Sequence, residues 1–255
     1  MPLSERDLAI VQLGVDSLTR AIAELGLTLV IEQDFDGLAA FLRARGSFVN
    51  PSFDPAVSRL GWRDFWVHLL DPAGRSIACS AEKVIETDDF MEEVATGRIW
   101  YEGGFAARGG PERIEVVRPS VRLAGTLSHS GSTWVDPAWR GHGLAMLMTR
   151  LSRALSFRNH GVAANTGFVR HSLYVTPVPT ESYGYAHVEK CLDGFFPPQN
   201  GPEVLYLCWI TDLEFVRSVE ALPEHPRRPV PLAPAEPAPA PAPARAAATL
   251  EVNGR

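Results

Sequence analysis

Three observations predict a mixed α/β, or α+β, fold. Segments with apolar residues at every third or fourth position alternate along the chain with short runs rich in β-branched residues, which puts helices and strands in one domain. Hydrophobic residues make up 45% and charged residues 21% of the 255, an ordinary globular usage that argues against wholesale disorder, a collagen-like fibre or a coiled coil. Composition then changes near Pro223. Nine of the 21 prolines lie between there and Pro243, ending in PAEPAPAPAPA, so backbone donors are missing and no apolar face can form. The expected organisation is an amphipathic helix over 1–25, a domain over 26–222 and an extended, disordered tail over 223–255. A domain of that length buries about 70% of its unfolded surface, enough for a core without staples.

Each element has its own reason. Leu8, Val11, Val15, Leu18, Ile22 and Leu25 sit on one face of a helix over 4–25, with Ser4 as its N-cap. LTLVIE (27–32) reads as a strand, and residues 36–45 as a second helix stopped by Gly46. DFWVHLL and RSIACSAEKVIET form a hairpin around Asp71-Pro-Ala-Gly74. A short helix over 88–97 and an irregular, Gly-rich stretch over 100–120 follow. Residues 121–135 read as a long strand, with Gly125 and Gly131 at bulges or close approaches. A helix over 143–158 buries Leu144, Met148, Leu151 and Leu155. Strands over 167–175, 188–195 and 204–211 complete the domain.

Several function classes lose support at this level. Cys79, Cys191 and Cys208 are too few and too scattered for a disulfide framework or a four-ligand zinc site, which suits a reducing, cytoplasmic compartment. The start MPLSERDLAI lacks the basic and apolar blocks of a secretory leader, and no stretch approaches the roughly 20 apolar residues of a membrane span. Net charge is −6; the tail contributes +1, leaving −7 on residues 1–222, so no general positive field draws the chain to nucleic acid. A homodimer is left open.

The informative segment is WVDPAWRGHGLA, Trp134–Ala145. A strand ends at Val135, Pro137 blocks its continuation, and Arg140-Gly141-His142-Gly143 opens directly into a helix. Such a joint aims free backbone N–H groups at one spot, at the positive end of the helix dipole. An anion fits there, most naturally a pyrophosphate: the glycines let the main chain approach, and Arg140 adds a charged contact. The dinucleotide fingerprint fails because Met146 stands where Gly or Ala is needed; no GK[ST], G-x-S-x-G or H-E-x-x-H is present.

VDPAWRGHGLA resembles the acyl-CoA pyrophosphate loop of the GNAT N-acetyltransferase superfamily, whose pattern is Gln or Arg, two residues, Gly, one residue, then Gly or Ala. Gly141 and Gly143 match its glycines, and Val135, Pro137, Arg140, Leu144 and Ala145 match its surroundings; the first position is Ala138 here. The order of elements from Leu27 to Thr211 is similar as well. The resemblance implies a central mixed, mostly antiparallel sheet flanked by helices, with the fourth strand splayed from the fifth. It implies an acyl-CoA co-substrate, acetyl-CoA first, held by Thr133, Trp134 and Val135 along the pantetheine and by Arg140, Gly141, His142, Gly143, Leu144 and Ala145 at the phosphates. No metal is implied. The reaction is direct attack of an amine on the thioester, without an acyl-enzyme, so no nucleophilic cysteine is required.

By the same resemblance a tyrosine after the fifth strand protonates the leaving thiolate, and Tyr183 and Tyr185 lie in that region, Tyr183 slightly ahead; each also fits a core aromatic with a satisfied hydroxyl. His129, in the fourth strand, is a candidate proton acceptor or else a hydrogen-bonded strand histidine. His142 is expected to face solvent or touch the nucleotide. Glu82 and Glu86 could bind a cationic amine but read first as the exposed face of an alternating strand, and Trp62, Trp66, Trp100 and Trp139 could line an acceptor pocket but read first as core seals. A non-catalytic acyl-CoA-binding or interaction domain that has lost its proton-transfer groups is the alternative to an enzyme.

Overall fold

In the computed structural model, which describes residues 3–220, Ser4 caps the first helix. Its Oγ accepts the Asp7 N–H of α1 (Glu5–Glu24) while the Asp7 carboxylate accepts the Ser4 N–H, a reciprocal pair that satisfies two orphan donors. β1 (Thr28–Glu32) and α2 (Phe35–Arg43) follow, and the chain turns at Gly46 with φ +62°. β2 (Phe65–Leu70) and β3 (Ser76–Thr87) form the expected hairpin, in which Asp71 Oδ1 accepts the N–H groups of Ala73 and Arg75 at 2.9 Å. α3 (Phe90–Thr96) stops at Gly97 with φ +81°, where a larger residue would be strained.

β4 spans Gly125–Val135, α4 Leu144–His160, β5 Ala164–Arg170, and a short α5 His171–Tyr174. β6 (His187–Phe196), β7 (Gly201–Thr211) and α6 (Asp212–Glu220) complete the described chain. The seven strands form one sheet ordered β1-β2-β3-β4-β5-β7-β6, antiparallel except for the β4–β5 pair. This is the mixed, mostly antiparallel sheet that the resemblance implies. The expected tail over 223–255 lies outside the described residues.

The limits of β4, β5 and β7 differ from the sequence expectation, β7 beginning at Gly201 instead of residue 204. β4 begins at Gly125 instead of residue 121, and β5 runs over Ala164–Arg170 instead of 167–175. The apolar run misleads there: parallel pairing with Leu127–Ser130 draws β5 back to Ala164, and at His171 the backbone turns into α5. α6 was not anticipated; it buries Phe215 and Val216.

Helices α1, α4 and α6 cover one face of the sheet. Val11, Val15 and Ile22 of α1 share a core with Leu147, Met148 and Leu151 of α4 and with Phe215 of α6. Leu8 of the anticipated apolar face is 37% exposed. The other face is covered by α2, α3 and the irregular segment after them, with Phe90, Trp100 and Phe105 packed on Leu127 and Trp209. Side chains alternate along each strand, so neighbouring residues of β3, β4 and β5 enter different cores.

Candidate active site

The loop after β4 leaves a run of backbone amides unpaired. Asp136 caps a single 3₁₀ turn, Pro137–Trp139, and Gly141 and Gly143 take φ of +83° and +75° before α4 begins. No side chain caps α4, and its first internal bond is from Leu147 N–H to the Gly143 carbonyl, so the amides from Gly141 to Met146 have no acceptor among the described residues. A Cβ on Gly141 would meet no protein atom within 4 Å, so what calls for glycine there is the positive φ and not crowding by the protein. Arg140 is exposed, its Nε 3.3 Å from the Val135 carbonyl, and Leu144, 1% exposed, anchors the first turn in the core. His142 is half-buried with Nδ1 3.2 Å from the Trp139 carbonyl. Ala145 is half-buried and Ala138 exposed.

Directly below this loop the sheet opens. β4 and β5 pair only from Leu127–Ala164 to Ser130–Gly167; above that β4 stays with β3 up to Val135 and β5 stays with β7 up to Arg170. The strands therefore part at Ser130 and Gly167, each held by its outer neighbour. A bulge at Ser132–Thr133 opposite Ser80 assists the divergence, and Ser132 takes φ +50°. Gly131 is needed for packing, because a Cβ there would lie 2.5 Å from the Phe53 ring. Thr133, Trp134 and Val135 thus present an unpaired backbone edge to the gap. Their side chains are otherwise engaged: Thr133 Oγ1 lies 3.2 Å from Ser80 Oγ, Trp134 meets Phe41 edge-on at 5.3 Å, and Val135 packs toward α4.

On the α4 face, the fork rests on a closed polar network. Glu82 is fully buried, contrary to the expected exposed strand face; α4 lies over β3 and supplies partners. Its carboxylate accepts Ser130 Oγ at 2.5 Å, Ser152 Oγ at 2.8 Å and Asn165 Nδ2 at 3.0 Å. Asn165 Oδ1 accepts Arg153 Nε at 2.8 Å, and Arg153 Nη1 reaches the Tyr183 and Gly184 carbonyls. Burial pushes the Glu82 carboxyl up to about 7, against the pull of Ser130, Ser152, Arg153 and Asn165. Glu86, the other glutamate of β3, pairs with Arg63 at 2.8 Å on the surface.

Tyr185 lies under Arg153, whose guanidinium carbon is 4.2 Å from the ring centroid. Its hydroxyl packs against Gly167, so closely that a Cβ there would clash, and lies 3.4 Å from the Thr166 carbonyl. Burial dominates and pushes the phenol up to about 12, against a slight downward pull from the Ser130 hydroxyl beside it. Tyr183 is half-buried against the same core, with its phenol raised by burial, and touches the network through its carbonyl. Of the two tyrosines, Tyr185 has its hydroxyl at the fork.

His129 faces the other way and does not suit proton transfer. It is 0% exposed, stacked on Phe53 at 6.2 Å and tilted against Phe90 and Phe168. Burial, with Lys83 nearby, lowers its pKa to about 3, so it remains neutral near pH 7. Thr166 Oγ1 donates its one proton to the Ser128 carbonyl, so His129 Nδ1, 3.1 Å away, is the donor and Nε2 bears an unpartnered lone pair. The cysteines are all buried thiols pushed up to about 12 by burial, unsuited to nucleophilic attack. Of the tryptophans, Trp66 and Trp100 are core residues, Trp139 is half-buried, and Trp62 is 78% exposed. Among the described residues no group of His, Cys, Asp and Glu is arranged to hold a metal ion, and no helix is long and apolar enough to cross a membrane.

The sequence thus supplied the loop and one fork tyrosine. Glu82, Ser130, Ser152, Arg153 and Asn165 were not anticipated as a unit; the density of small polar residues in the β4 run GTLSHSGST was the available sign.

No family model matches the chain, and no curated protein matches it. Among solved structures, it is similar to Arabidopsis thaliana NAA60 in complex with acetyl-CoA, at 13% identity and a TM-score of 0.44 over 72% of this chain and 98% of that one. The ribosomal-protein-S18-alanine N-acetyltransferase from Escherichia coli is 15% identical, with a TM-score of 0.42 over 72% and 93%. Spermidine/spermine N-acetyltransferase SpeG from Vibrio cholerae is 10% identical, with a TM-score of 0.42 over 75% and 96%. Likeness at this level leaves the chemistry of this chain to be read from its own residues.

Proposed function

We propose that this protein transfers an acyl group from an acyl-CoA, acetyl-CoA first, to the nitrogen of an amine. The observation supporting this reading is the joint of an uncapped α4 N-terminus, where the amides of Gly141–Met146 are free, with a strand fork that opens beside it. The pyrophosphate lies on the loop, and the pantetheine arm runs along the unpaired edge of Thr133–Val135. The thioester then meets the fork between Ser130 and Gly167.

The chemistry needs a proton at the sulfur. As the amine nitrogen bonds to the carbonyl carbon and the C–S bond breaks, the Tyr185 hydroxyl gives its proton to the departing thiolate. A phenol pushed up to about 12 holds that proton at neutral pH until a stronger base forms beside it. Ser130 then returns a proton to Tyr185 and takes one from Glu82, whose carboxyl near 7 is partly protonated. The proton released by the amine goes to water, and one from water returns to Glu82 before the next turnover, which closes the proton count. His129 has no part in this.

Calorimetry with CoA tests the binding half: wild type binds, and Gly141→Val, with a β-branched side chain at φ +83°, melts at a lower temperature but still cooperatively and loses affinity severely well below its melting point. Equal affinity removes the phosphate loop. Incubation with acetyl-CoA and a panel of amines, followed by free CoA, tests turnover. Ala138, which offers no side chain to the anion, supports the second reading, an acyl-CoA-binding domain without catalysis; binding with no CoA release under any amine selects it.

A further inference from the structure

Resting on the acyltransferase reading, we infer that the acceptor is a weakly basic amine on an aromatic body that also bears a carboxylate, of the aminobenzoate kind. The fork opens on the face opposite Tyr185 into a cavity of about 370 Å³, which includes Ser132 and Thr133 of the β4 bulge. Its lining mixes aromatic rings with the polar Asn50, Ser132, Thr133 and Gln199. Trp100 lies 5.6 Å from Phe168 and 5.0 Å from Phe196, and Phe48 at the rim is 54% exposed. Rings of this kind favour a flat body, and the polar residues among them suit hydrogen-bonding substituents on it.

Charge selects further. The cavity's one charged lining residue among the described residues is Arg170, at the end of β5. Its Nε lies 3.2 Å from Glu203 Oε2, and no acceptor lies on its Nη atoms among the described residues; the side chain is 51% exposed. A planar guanidinium with free donors matches a carboxylate fork. The neighbouring carboxylate, Glu203, is already paired with Arg170, so a polyamine would bring its charges to a site with no free carboxylate among its described lining residues.

The amine's own basicity follows from the same lining. Direct attack needs a neutral nitrogen, and the cavity holds neither histidine nor carboxylate among its described lining residues to remove a proton. His129 is behind Phe168 and neutral. An alkylamine with pKa about 10.4 is neutral only to about one part in a thousand near pH 7.5. An arylamine arrives neutral and needs no base before attack.

The test is kcat/KM from CoA release with 4-aminobenzoate, aniline, phenylalanine and spermidine, in wild type, Arg170→Gln and Glu203→Gln. Expected is 4-aminobenzoate first and spermidine last. Arg170→Gln should lower the 4-aminobenzoate to aniline ratio by about 10-fold or more, the worth of a charge-assisted pair. Glu203→Gln, which releases Arg170, should raise that ratio. Spermidine as the preferred acceptor, or a ratio unmoved by both variants, overturns the assignment. If CoA binds but no amine is acylated, the acyltransferase reading has failed and the cavity is tested alone. Calorimetry of 4-aminobenzoate into CoA-saturated protein should then show binding weakened by Arg170→Gln, and no binding, or binding indifferent to that change, overturns the inference.

Discussion

The two faces of the sheet at the β4–β5 fork are built from neighbouring residues and have opposite chemistry. Ser130, Glu82 and Asn165 point toward α4; His129, Lys83 and Thr166, each one residue away, point toward the aromatic core or the α2 side. Both faces bury a titratable group completely. Glu82 has donors on both oxygens and is held near neutrality, while His129 has rings on its flanks, one hydrogen bond and a pKa of about 3. Burial alone therefore does not make a proton-transfer group. Partners that stabilise both protonation states do, and only the α4 face has them.

Turnover should divide along the same line. Tyr185→Phe removes the hydroxyl at the fork but keeps the ring under Arg153, so kcat should fall about 10²-fold with CoA affinity preserved. Tyr183→Phe, measured in parallel, should change little. If Tyr183 and not Tyr185 proves necessary, proton delivery does not come from the fork.

Glu82→Gln should have the next largest effect, about 10-fold on kcat, with loss of the wild-type pH dependence near 7. Gln is nearly isosteric and can still accept from Ser130, so a purely structural role would lower stability without altering the profile. Glu82→Asp, which restores the titrating group, should restore part of the pH dependence. An unchanged profile in Glu82→Gln would leave the network as scaffolding under the fork.

Legibility in the sequence followed locality. The form of the β4–α4 loop could be read because its determinants are contiguous: a strand end, Pro137, two glycines and a helix start. The hairpin was legible for the same reason, with Asp71 and Gly74 in one turn. Glu82 was not, because its burial depends on Ser152 and Arg153 of α4, some seventy residues away in sequence, covering a face that the SAEKVIET alternation marks as polar. For His129 the sequence left two readings open, a proton acceptor or a hydrogen-bonded strand histidine, for the complementary reason. Nothing local announces that Phe53, Phe90 and Phe168 close over it. The shift of β5 has the same origin, since its start is set by pairing with β4 and not by its own composition.

The smallest effect on turnover should come from His129→Phe, and its value lies in stability. Phe fills a space already walled by aromatic rings and removes the unpartnered Nε2; Thr166 keeps its bond to the Ser128 carbonyl. kcat should stay within about two-fold, because His129 is a neutral, sealed group on the wrong side of the fork. The pH dependence of melting should change in a direction fixed by proton counting. His129 falls from the ordinary 6.5 to about 3 on folding, so between those values the unfolded chain holds the extra proton and wild-type stability is lost as pH falls. Glu82 rises from 4.5 to about 7, so the folded chain holds the extra proton and stability is lost as pH rises through that window. The two slopes oppose each other between about pH 4.5 and 6.5 and hide one another in the wild type. His129→Phe should expose the Glu82 slope, with melting temperature falling as pH rises from 4.5 to 7, and Glu82→Gln should expose the reverse. Thermal melts of the single and double variants across pH 4 to 8 separate them. A His129→Phe profile that keeps the wild-type shape would mean that the imidazole is protonated inside its cage, and the contrast between the two faces would then fail at its titrating group.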